Sequence, residues 1–421
     1  MSHYAVIAPP LYSHVRALEA LAQALIARGH RVTFMQQAEA RTLLGDARIG
    51  FYPLGERSHP PGSLAHTLEL TAHPSGMGIF RLIADMAKTS DMLCRELPAA
   101  LQQAGIDGLI VDQMEAAGGL VADALGLPFV SVACALPVNR EPHLPLPVMP
   151  FNYGTGARRQ KLYATSERIY DWLMRRHSEV IARHARAFGL SERRSLHDCL
   201  SPLAQISQTL PAFDFPRRQL PAHFHAVGPL RHVHATPEAA APSTSPLVFA
   251  SLGTLQGHRF TLFRTIARAC RQLNVRLLIA HCGGLNAAQE ARLRRYGAEV
   301  TDFADQPAVL RQAQAVITHG GLNTVMDAIE SATPMLTIPL AFDQPGVAAR
   351  VVYCGIGRRA SRFTTVNALA KKLGALLNDP GYRQRLTLMQ TQLAQAGGAT
   401  CAAAVVEQAL NSRHPILADC A

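Results

Sequence analysis

Two α/β domains, each a parallel sheet covered by helices on both faces, are what this 421-residue sequence predicts. Three observations carry that expectation. The chain exceeds the size at which one hydrophobic core usually stops growing, so two domains of about 200 residues each are expected. Short apolar runs of strand length alternate with helical stripes in both halves. Between Pro229 and Pro246 the composition turns small, polar and proline-rich, "PLRHVHATPEAAAPSTSP", which reads as an interdomain linker.

Tyr4 to Ala8 is a short apolar run and Pro9 to Ser13 a turn. Val15, Leu18, Ala22, Leu25 and Ile26 then form a helical stripe that stops at Gly29, before a second strand from Val32 to Met35. This is a β-α-β unit. Similar units follow: a strand from Gly108 to Val111, a helix through Leu125, a strand from Phe129 to Ala133 and a β-like segment from Gln205 to Leu210. After the linker, strands are expected at Leu247 to Ser251, Arg276 to Ala280, Ala315 to Thr318 and Met335 to Pro339. The expected division is a first domain over 1–228, a linker over 229–246, a second domain over 247–395, and a terminal helix within 396–421 that crosses back to the first domain. The proline-rich stretch from Pro137 to Gly156 and the region from His59 to Pro74 are expected to wall a cleft.

A hydrophobic content of 48% with 17% charged residues describes a globular chain and excludes a disordered one. The start, "MSHYAVIAPP", reads as a buried strand, with no signal peptide, and no run of about 18 uncharged apolar residues suggests a membrane span. The eight cysteines are scattered without a C-x-x-C pair, which fits reduced thiols in a cytoplasmic enzyme, and no metal site is implied. The net charge of +11 is not accompanied by a nucleic-acid-reading motif, so no nucleic acid partner is expected. A stretch from Arg158 to Arg194 holds ten basic against four acidic residues, interleaved with Ile169, Trp172, Leu173, Val180 and Ile181. It fits either an amphipathic helix packed on its own domain or one resting peripherally on an anionic membrane.

The chemistry concentrates in "THGGLNTVMDAIESATP", Thr318 to Pro334. His319, Gly320 and Gly321 form the turn from a strand into a helix that starts with Leu322, Asn323 and Thr324. Glycines let a ligand approach the backbone, and the unpaired N–H groups of a helix start favour a phosphate, to which His319 adds a donor. A Gly-Gly pair also serves a simple tight turn. Asp327 lies about two helical turns beyond His319, within reach of ribose hydroxyls. Asp343 and Gln344 are expected to close the next strand at its carboxyl end, where open α/β sheets bind ligands, and offer groups to a polyol. Phe303 and Gln306, in "DFADQPAVL", precede the strand; a ring there stacks on a base or fills the core. In the first half, His14 is expected in the loop between the first strand and the helix after it, facing the cleft. Taken alone, it is equally a helix-capping or surface histidine.

From Phe303 to Gln344 the sequence resembles the donor-binding signature of the UDP-dependent glycosyltransferases of the two-domain GT-B class. The resemblance implies two Rossmann-like domains facing each other across a cleft, the first binding the acceptor and the second the UDP-sugar. It implies that Phe303 stands where a tryptophan usually stacks on uracil, with Gln306 as the conserved glutamine beside it. His319 then meets the pyrophosphate with Asn323 and Thr324, Asp327 binds ribose, and Asp343 with Gln344 holds the sugar hydroxyls. Gly320, Leu322 and Asp305 replace common Cys, Trp and Pro residues. By the same resemblance His14 is the base that deprotonates the acceptor, although Ala17 stands where that motif has proline, and Asp112 orients it. Ser251 and Thr254 in "ASLGT" add diphosphate contacts.

Segments along nearly the whole chain, among them "TSDMLCRELPAA", "YDWLMRRH" and "FASLGTLQGHR", are similar to members of this family that glucosylate hydroxylated carotenoids. That similarity implies UDP-glucose as donor substrate, a carotenoid such as zeaxanthin as acceptor, inversion at the anomeric carbon and no metal or other cofactor. Alternatives are a transferase acting on a sterol, flavonoid or macrolide, a UDP-sugar epimerase of the same fold, and a non-enzymatic sugar-nucleotide sensor.

Overall fold

The computed structural model describes residues 1–74, 76–231 and 246–418. Its strands form two all-parallel sheets. The first contains β1 (His3–Ile7), β2 (Arg31–Gln37), β3 (Gly50–Leu54), β4 (Gly108–Asp112), β5 (Phe129–Ala133), β6 (Gln205–Ser207) and β7 (Phe224–Ala226), in the order β3-β2-β1-β4-β5-β6-β7. The second contains β8 (Leu247–Ser251), β9 (Arg276–Ala280), β10 (Ala298–Thr301), β11 (Ala315–Thr318), β12 (Met335–Thr337) and β13 (Gly357–Arg359), in the order β10-β9-β8-β11-β12-β13.

Helices connect the strands. The first lobe carries α1 (Tyr12–Ala27), α2 (Ser63–Ala72), α3 (Gly78–Ala104), α4 (Ala116–Leu125) and α5 (Ala157–Ala187). The second carries α6 (Phe260–Gln272), α7 (Ala287–Arg294), α8 (Gln306–Gln312), α9 (Leu322–Glu330), α10 (Gln344–Tyr353) and α11 (Val366–Asn378), followed by α12 (Gly381–Gln395) and α13 (Gly398–Ser412). The stripe expected for α1 is its buried face, with Val15, Leu18, Ala22 and Leu25 in the core beneath β1 and β2. Gly29, at φ +89°, turns the chain back into β2, a conformation most side chains disfavour.

In both sheets the strand order reverses once, between β1 and β4 and between β8 and β11. Chains leaving two such neighbouring strands diverge to opposite faces, which opens a crevice at their carboxyl ends. His14 and Asp112 lie at the first reversal. Ser251 and His319 lie at the second. The segment 134–156 runs without helix or strand across this edge, as its proline content predicts. The region from His59 to Pro74 is not plain loop: it contains α2, two of whose residues, Thr67 and Thr71, face the crevice.

The tail of the chain ties the lobes together. Ala402, Ala403, Val406, Ala409 and Leu410 of α13 are buried among Val6, Leu18, Leu21 and Val130 of the first lobe. Met389 and Leu393 of α12 share a cluster with Leu136, Leu210 and Phe213 of the first lobe and Met326 of the second. Of the expected linker, residues 232–245 lie outside the described residues, and Leu230, just before them, is buried in the first core. Arg350 of α10, 1% exposed, donates to Asp214 at 2.6 Å and lies 4.4 Å from the ring of Phe215, so a charged pair also crosses the lobe boundary.

Leu410 rests directly over Gly108 of β4, whose hypothetical Cβ would meet the leucine Cδ1 at 3.1 Å. Leu410→Ala should therefore lower stability by about 2–5 kcal/mol, the usual cost of emptying a packed leucine site. Urea denaturation monitored by circular dichroism reads it. An unchanged midpoint would mean that α13 contributes nothing to the first core.

Candidate active site

A cavity of about 620 Å³ lies between the lobes at the two strand-order reversals. His14, Ser251, Thr254, Gln306, His319, Gly321, Asn323, Thr324, Asp343 and Gln344 all border it. The structure thus brings together most of the residues singled out from sequence, from segments more than three hundred residues apart.

His14 is not in the loop after β1, where the sequence reading put it. It sits in the first turn of α1, which begins earlier than the stripe from Val15 suggests, and is itself buried. Its Nδ1 lies 2.7 Å from Oδ2 of Asp112, the last residue of β4, which is wholly buried. A carboxylate only accepts, so Nδ1 carries the proton and Nε2 is left as the basic nitrogen. The other oxygen of Asp112 accepts from the N–H of Met114 at 2.8 Å, which fixes the carboxylate plane. Burial by itself would depress the basicity of His14. The charge and hydrogen bond of Asp112, with the charge of Asp343 across the gap, override it and hold its pKa above the ordinary 6.5.

On the opposite wall, β11 ends at Thr318 and α9 starts at Leu322. Gly320 adopts φ +87°, open to glycine, with its N–H 3.2 Å from the Thr318 hydroxyl. The imidazole of His319 is clasped between backbones: a Cβ on Gly253 would lie 2.7 Å from its Cε1, and one on Gly321 2.6 Å from its Nε2. Burial pushes the His319 pKa down to about 4, so at neutral pH the ring is uncharged and offers a single N–H donor. Asn323 and Thr324 extend the same helix mouth. Asn323 Oδ1 accepts from Gln208 Nε2 of the first lobe at 2.9 Å. Ser251 closes β8, and Thr254 is exposed on the adjoining turn.

Asp343 and Gln344 do not close β12; they open α10, past a loop after Thr337. Asp343 accepts from the Leu136 N–H of the first lobe at 3.1 Å, and burial raises its pKa. Gln344 spends its carbonyl oxygen on the N–H groups of Leu340 and Ala341, at 2.9 and 2.8 Å, which turns its amide NH₂ outward as a donor. A Cβ on Gly346 would lie 1.9 Å from the Pro147 carbonyl, so only glycine permits the lobes to approach this closely.

The expected donor-site residues Phe303 and Asp327 do not line the cavity. Phe303 is not core: it is 70% exposed, just ahead of α8, free to receive a flat partner. Asp305, the departure from proline, caps α8 by accepting from the Ala308 N–H at 3.1 Å. Asp327 accepts from Gln306 Nε2 at 2.6 Å and is paired with Arg231; it faces a neighbouring pocket of about 780 Å³. The Gln306–Asp327 contact joins the two residues that the resemblance assigns to one ribose.

The proline-rich segment and the region of α2 wall the cavity on the first-lobe side as expected, whereas the contributions of α3 and α5 were not foreseen. Leu82 and Met86 of α3, Tyr170 and Met174 of α5, and Leu146 and Val148 of the connecting segment make this wall largely apolar. Polar side chains interrupt it, among them Thr67, Asp85, Arg140 and Asp171. Within it the Ser90 hydroxyl donates to Glu115 at 2.7 Å and lies 3.0 Å from Nε2 of the buried His177. Burial lifts the Glu115 pKa to about 7 and lowers that of His177 to about 4, so near neutral pH His177 is uncharged while Glu115 is divided between its protonated and ionised forms.

The model of the UDP-glucoronosyl and UDP-glucosyl transferase family matches residues 5–392. The chain belongs to this family. The transferase is 58% identical over 422 residues to a zeaxanthin glucosyltransferase of Pantoea ananas, covering 99% of this chain and 98% of that protein. It is 53% identical to the zeaxanthin glucosyltransferase of Pseudescherichia vulneris, over 97% and 98% of the two chains. Among solved structures it resembles the glycotransferase of kitacinnamycin, with a TM-score of 0.77 at 21% identity over 97% and 99% of the chains. It also resembles the calicheamicin glycosyltransferase CalG4, with a TM-score of 0.74 at 19% identity over 99% and 100%. The fold is GT-B, and the protein is a sugar-transferring enzyme, which sets aside the epimerase and sensor alternatives.

Among the described residues two side-chain clusters have metal-ligand composition, and neither presents a good donor set. Of His14, Asp112 and Cys134, the histidine Nδ1 carries a proton toward Asp112, and burial raises the Cys134 pKa well above the thiol range, against thiolate formation. Of His281, Glu290 and Asp302, the His281 Nδ1 accepts from the Leu285 N–H at 3.1 Å, so the proton sits on Nε2, between the two carboxylates.

The geometry makes two expectations. A protonated His14 cannot accept a proton, so kcat/KM should fall as pH drops through its raised pKa. In Asp112→Asn the burial penalty remains while the compensating charge is gone. That variant should lose about two to four orders of magnitude in rate, with its acidic limb displaced to lower pH; a limb left in place would contradict the pairing. Separately, Gly253→Ala should displace the His319 ring and raise the KM for the nucleotide sugar by about tenfold or more, with a loss of about 1 kcal/mol or more of stability because Gly253 sits at φ +75°; wild-type KM in that variant would refute the clasp.

Proposed function

We propose that the transferase moves glucose from UDP-glucose to the ring hydroxyls of zeaxanthin, giving the mono- and di-β-glucoside of carotenoid biosynthesis. One observation carries the chemistry: a single cavity has a buried, carboxylate-backed imidazole on one side, a glycine-lined helix mouth on the other and an apolar wall between. The near-full-length similarity to two zeaxanthin glucosyltransferases supports the acceptor.

His14 Nε2 takes the hydroxyl proton as the acceptor oxygen attacks the anomeric carbon from the face opposite the diphosphate. The new C–O bond forms as the bond to the diphosphate breaks, so configuration inverts in one displacement, and UDP leaves with the electron pair. Asp112 stabilises the imidazolium. The start of α9, His319, Asn323 and Thr324 are fixed donors for the charge growing on the diphosphate, with Ser251 and Thr254 beside them. In this reading no metal ion is required, since neutral donors and the helix start receive the leaving charge. Phe303 stacks on uracil, Gln306 and Asp327 hold the ribose, and Asp343 with the Gln344 amide grips the glucose hydroxyls. For Asp327 this requires that the donor share or displace Arg231. Asp343 must exchange its bond to the Leu136 N–H for one to sugar, an exchange a modest opening of the lobes provides.

A carotenoid diol is extended, apolar and dissolved in membrane. Among the described residues no helix is long and apolar enough to cross one. A cytoplasmic enzyme acting at the inner face of an anionic membrane fits both points. Purified protein given UDP-glucose and detergent-dispersed zeaxanthin should yield mono- then diglucoside by mass, with UDP released in equal amount. Transfer to a sterol, flavonoid or macrolide in preference to zeaxanthin would overturn the acceptor assignment while keeping the transferase chemistry.

A further inference from the structure

The helices that wall the acceptor side of the cavity carry, on their outer surfaces, an apolar cluster that the core does not use. On α5, Ile169 and Trp172 are 54% and 59% exposed although the inward face of the helix is already filled by Tyr163, Ser166, His177 and Ile181. Just ahead of α3, Met77 is 72% exposed, and Phe80 follows one turn later. The rings of Phe80 and Trp172 meet edge to face, centroids 6.1 Å apart at 87°, so the two helices present one continuous patch. Solvated helices place such residues inward, and a cluster of large apolar side chains outside marks a surface meant to be covered.

The rim of this patch is cationic. Arg168, Arg175 and Arg176 lie one turn on either side of Trp172, on the same face of α5 by their three- and four-residue spacing. Among the described residues Arg168 and Arg176 have no acidic partner, and Arg175 has only Glu179 at 3.6 Å. An arginine's apolar stem can lie along apolar surface while its guanidinium reaches outward, which suits a headgroup layer above a shallow apolar insertion, with tryptophan at the boundary. A protein partner would need acidic groups matched to each arginine. A bilayer needs only anionic headgroups over hydrocarbon, which is the chemistry that apolar centre and basic rim complement.

Position gives the patch a use. Tyr170 and Met174, each within two residues of Trp172, turn the other way and line the cavity, as do Leu82 and Met86 on α3, two and six residues beyond Phe80. We propose that the face formed by Met77, Phe80, Ile169 and Trp172, ringed by Arg168, Arg175 and Arg176, docks on an anionic lipid bilayer and receives the acceptor from it between α3 and α5. The role in acceptor entry rests on the reading that the acceptor is a lipid-dissolved alcohol; the docking itself does not.

The test sediments the full-length protein with vesicles of phosphatidylcholine alone or with phosphatidylglycerol, at low and high salt. The wild type should partition to the anionic vesicles at low salt at least about tenfold more than to neutral ones or at high salt. Ile169→Ser with Trp172→Ser, and separately Arg168→Glu with Arg176→Glu, should each cut that partition by about tenfold. Both variants should keep the wild-type circular dichroism spectrum and transfer to detergent-dispersed zeaxanthin within about twofold, while losing transfer to zeaxanthin embedded in anionic vesicles. Wild-type protein that stays in the supernatant with anionic vesicles would overturn the docking, however active it is in detergent. Folded variants that pellet like the wild type would overturn this face. A wild type that pellets as expected but transfers nothing to detergent-dispersed zeaxanthin would contradict the acceptor assignment, with the docking upheld by the sedimentation.

Discussion

The hydrogen bond between Nδ1 of His14 and the carboxylate of Asp112 is the contact on which the site depends. Both groups are buried, and an isolated carboxylate in that position would be strongly disfavoured. Their mutual attraction, at 2.7 Å, with the Met114 N–H on the second oxygen, offsets much of that cost and leaves only one nitrogen of the ring available for chemistry. Sheet topology makes the contact possible. β1 and β4 are neighbours in space and run parallel, so the residue ending one and the helix following the other meet at the same edge.

The second sheet repeats the device with a different outcome. Its reversal between β8 and β11 produces a cradle of backbone donors and a neutral imidazole, rather than a base. The two lobes need each other because neither reversal alone provides both functions. Their approach is set by close contacts: Gly346 against the Pro147 carbonyl, Asp343 on the Leu136 N–H, Gln208 on Asn323. The last two helices, packed across the boundary, hold the lobes in facing register.

Local chemistry made much of this legible from sequence. Continuous apolar runs bounded by turns marked Phe129–Ala133, Leu247–Ser251, Arg276–Ala280 and Ala315–Thr318 with the bounds the structure has. The glycines before Leu322 announced the start of α9 because helix mouths that approach a ligand closely favour them. The strands that went unread, β3, β7, β10 and β13, lie toward or at the sheet edges, where burial is partial and the sequence need not be uniformly apolar: Pro53 interrupts one and two arginines end another. His14 was misplaced by one turn because Tyr12 and Ser13 carry no apolar signal for a helix that starts there. The acceptor wall was legible only where the proline-rich segment and the region of α2 contribute to it. Elsewhere it is assembled from leucines and methionines of α3 and α5, residue types that read as core until the cavity between them is seen. The exposure of Phe303 was likewise beyond a sequence in which an aromatic beside a strand fits the interior equally well.

A titration of the His14 imidazole, followed by its ¹⁵N chemical shifts against a His14→Gln control for assignment, tests the central contact most directly. A neutral tautomer protonated at Nδ1 and a midpoint above the ordinary 6.5 are expected, since the Asp112 charge outweighs burial. A midpoint below that value, or a proton on Nε2 in the neutral ring, would contradict it.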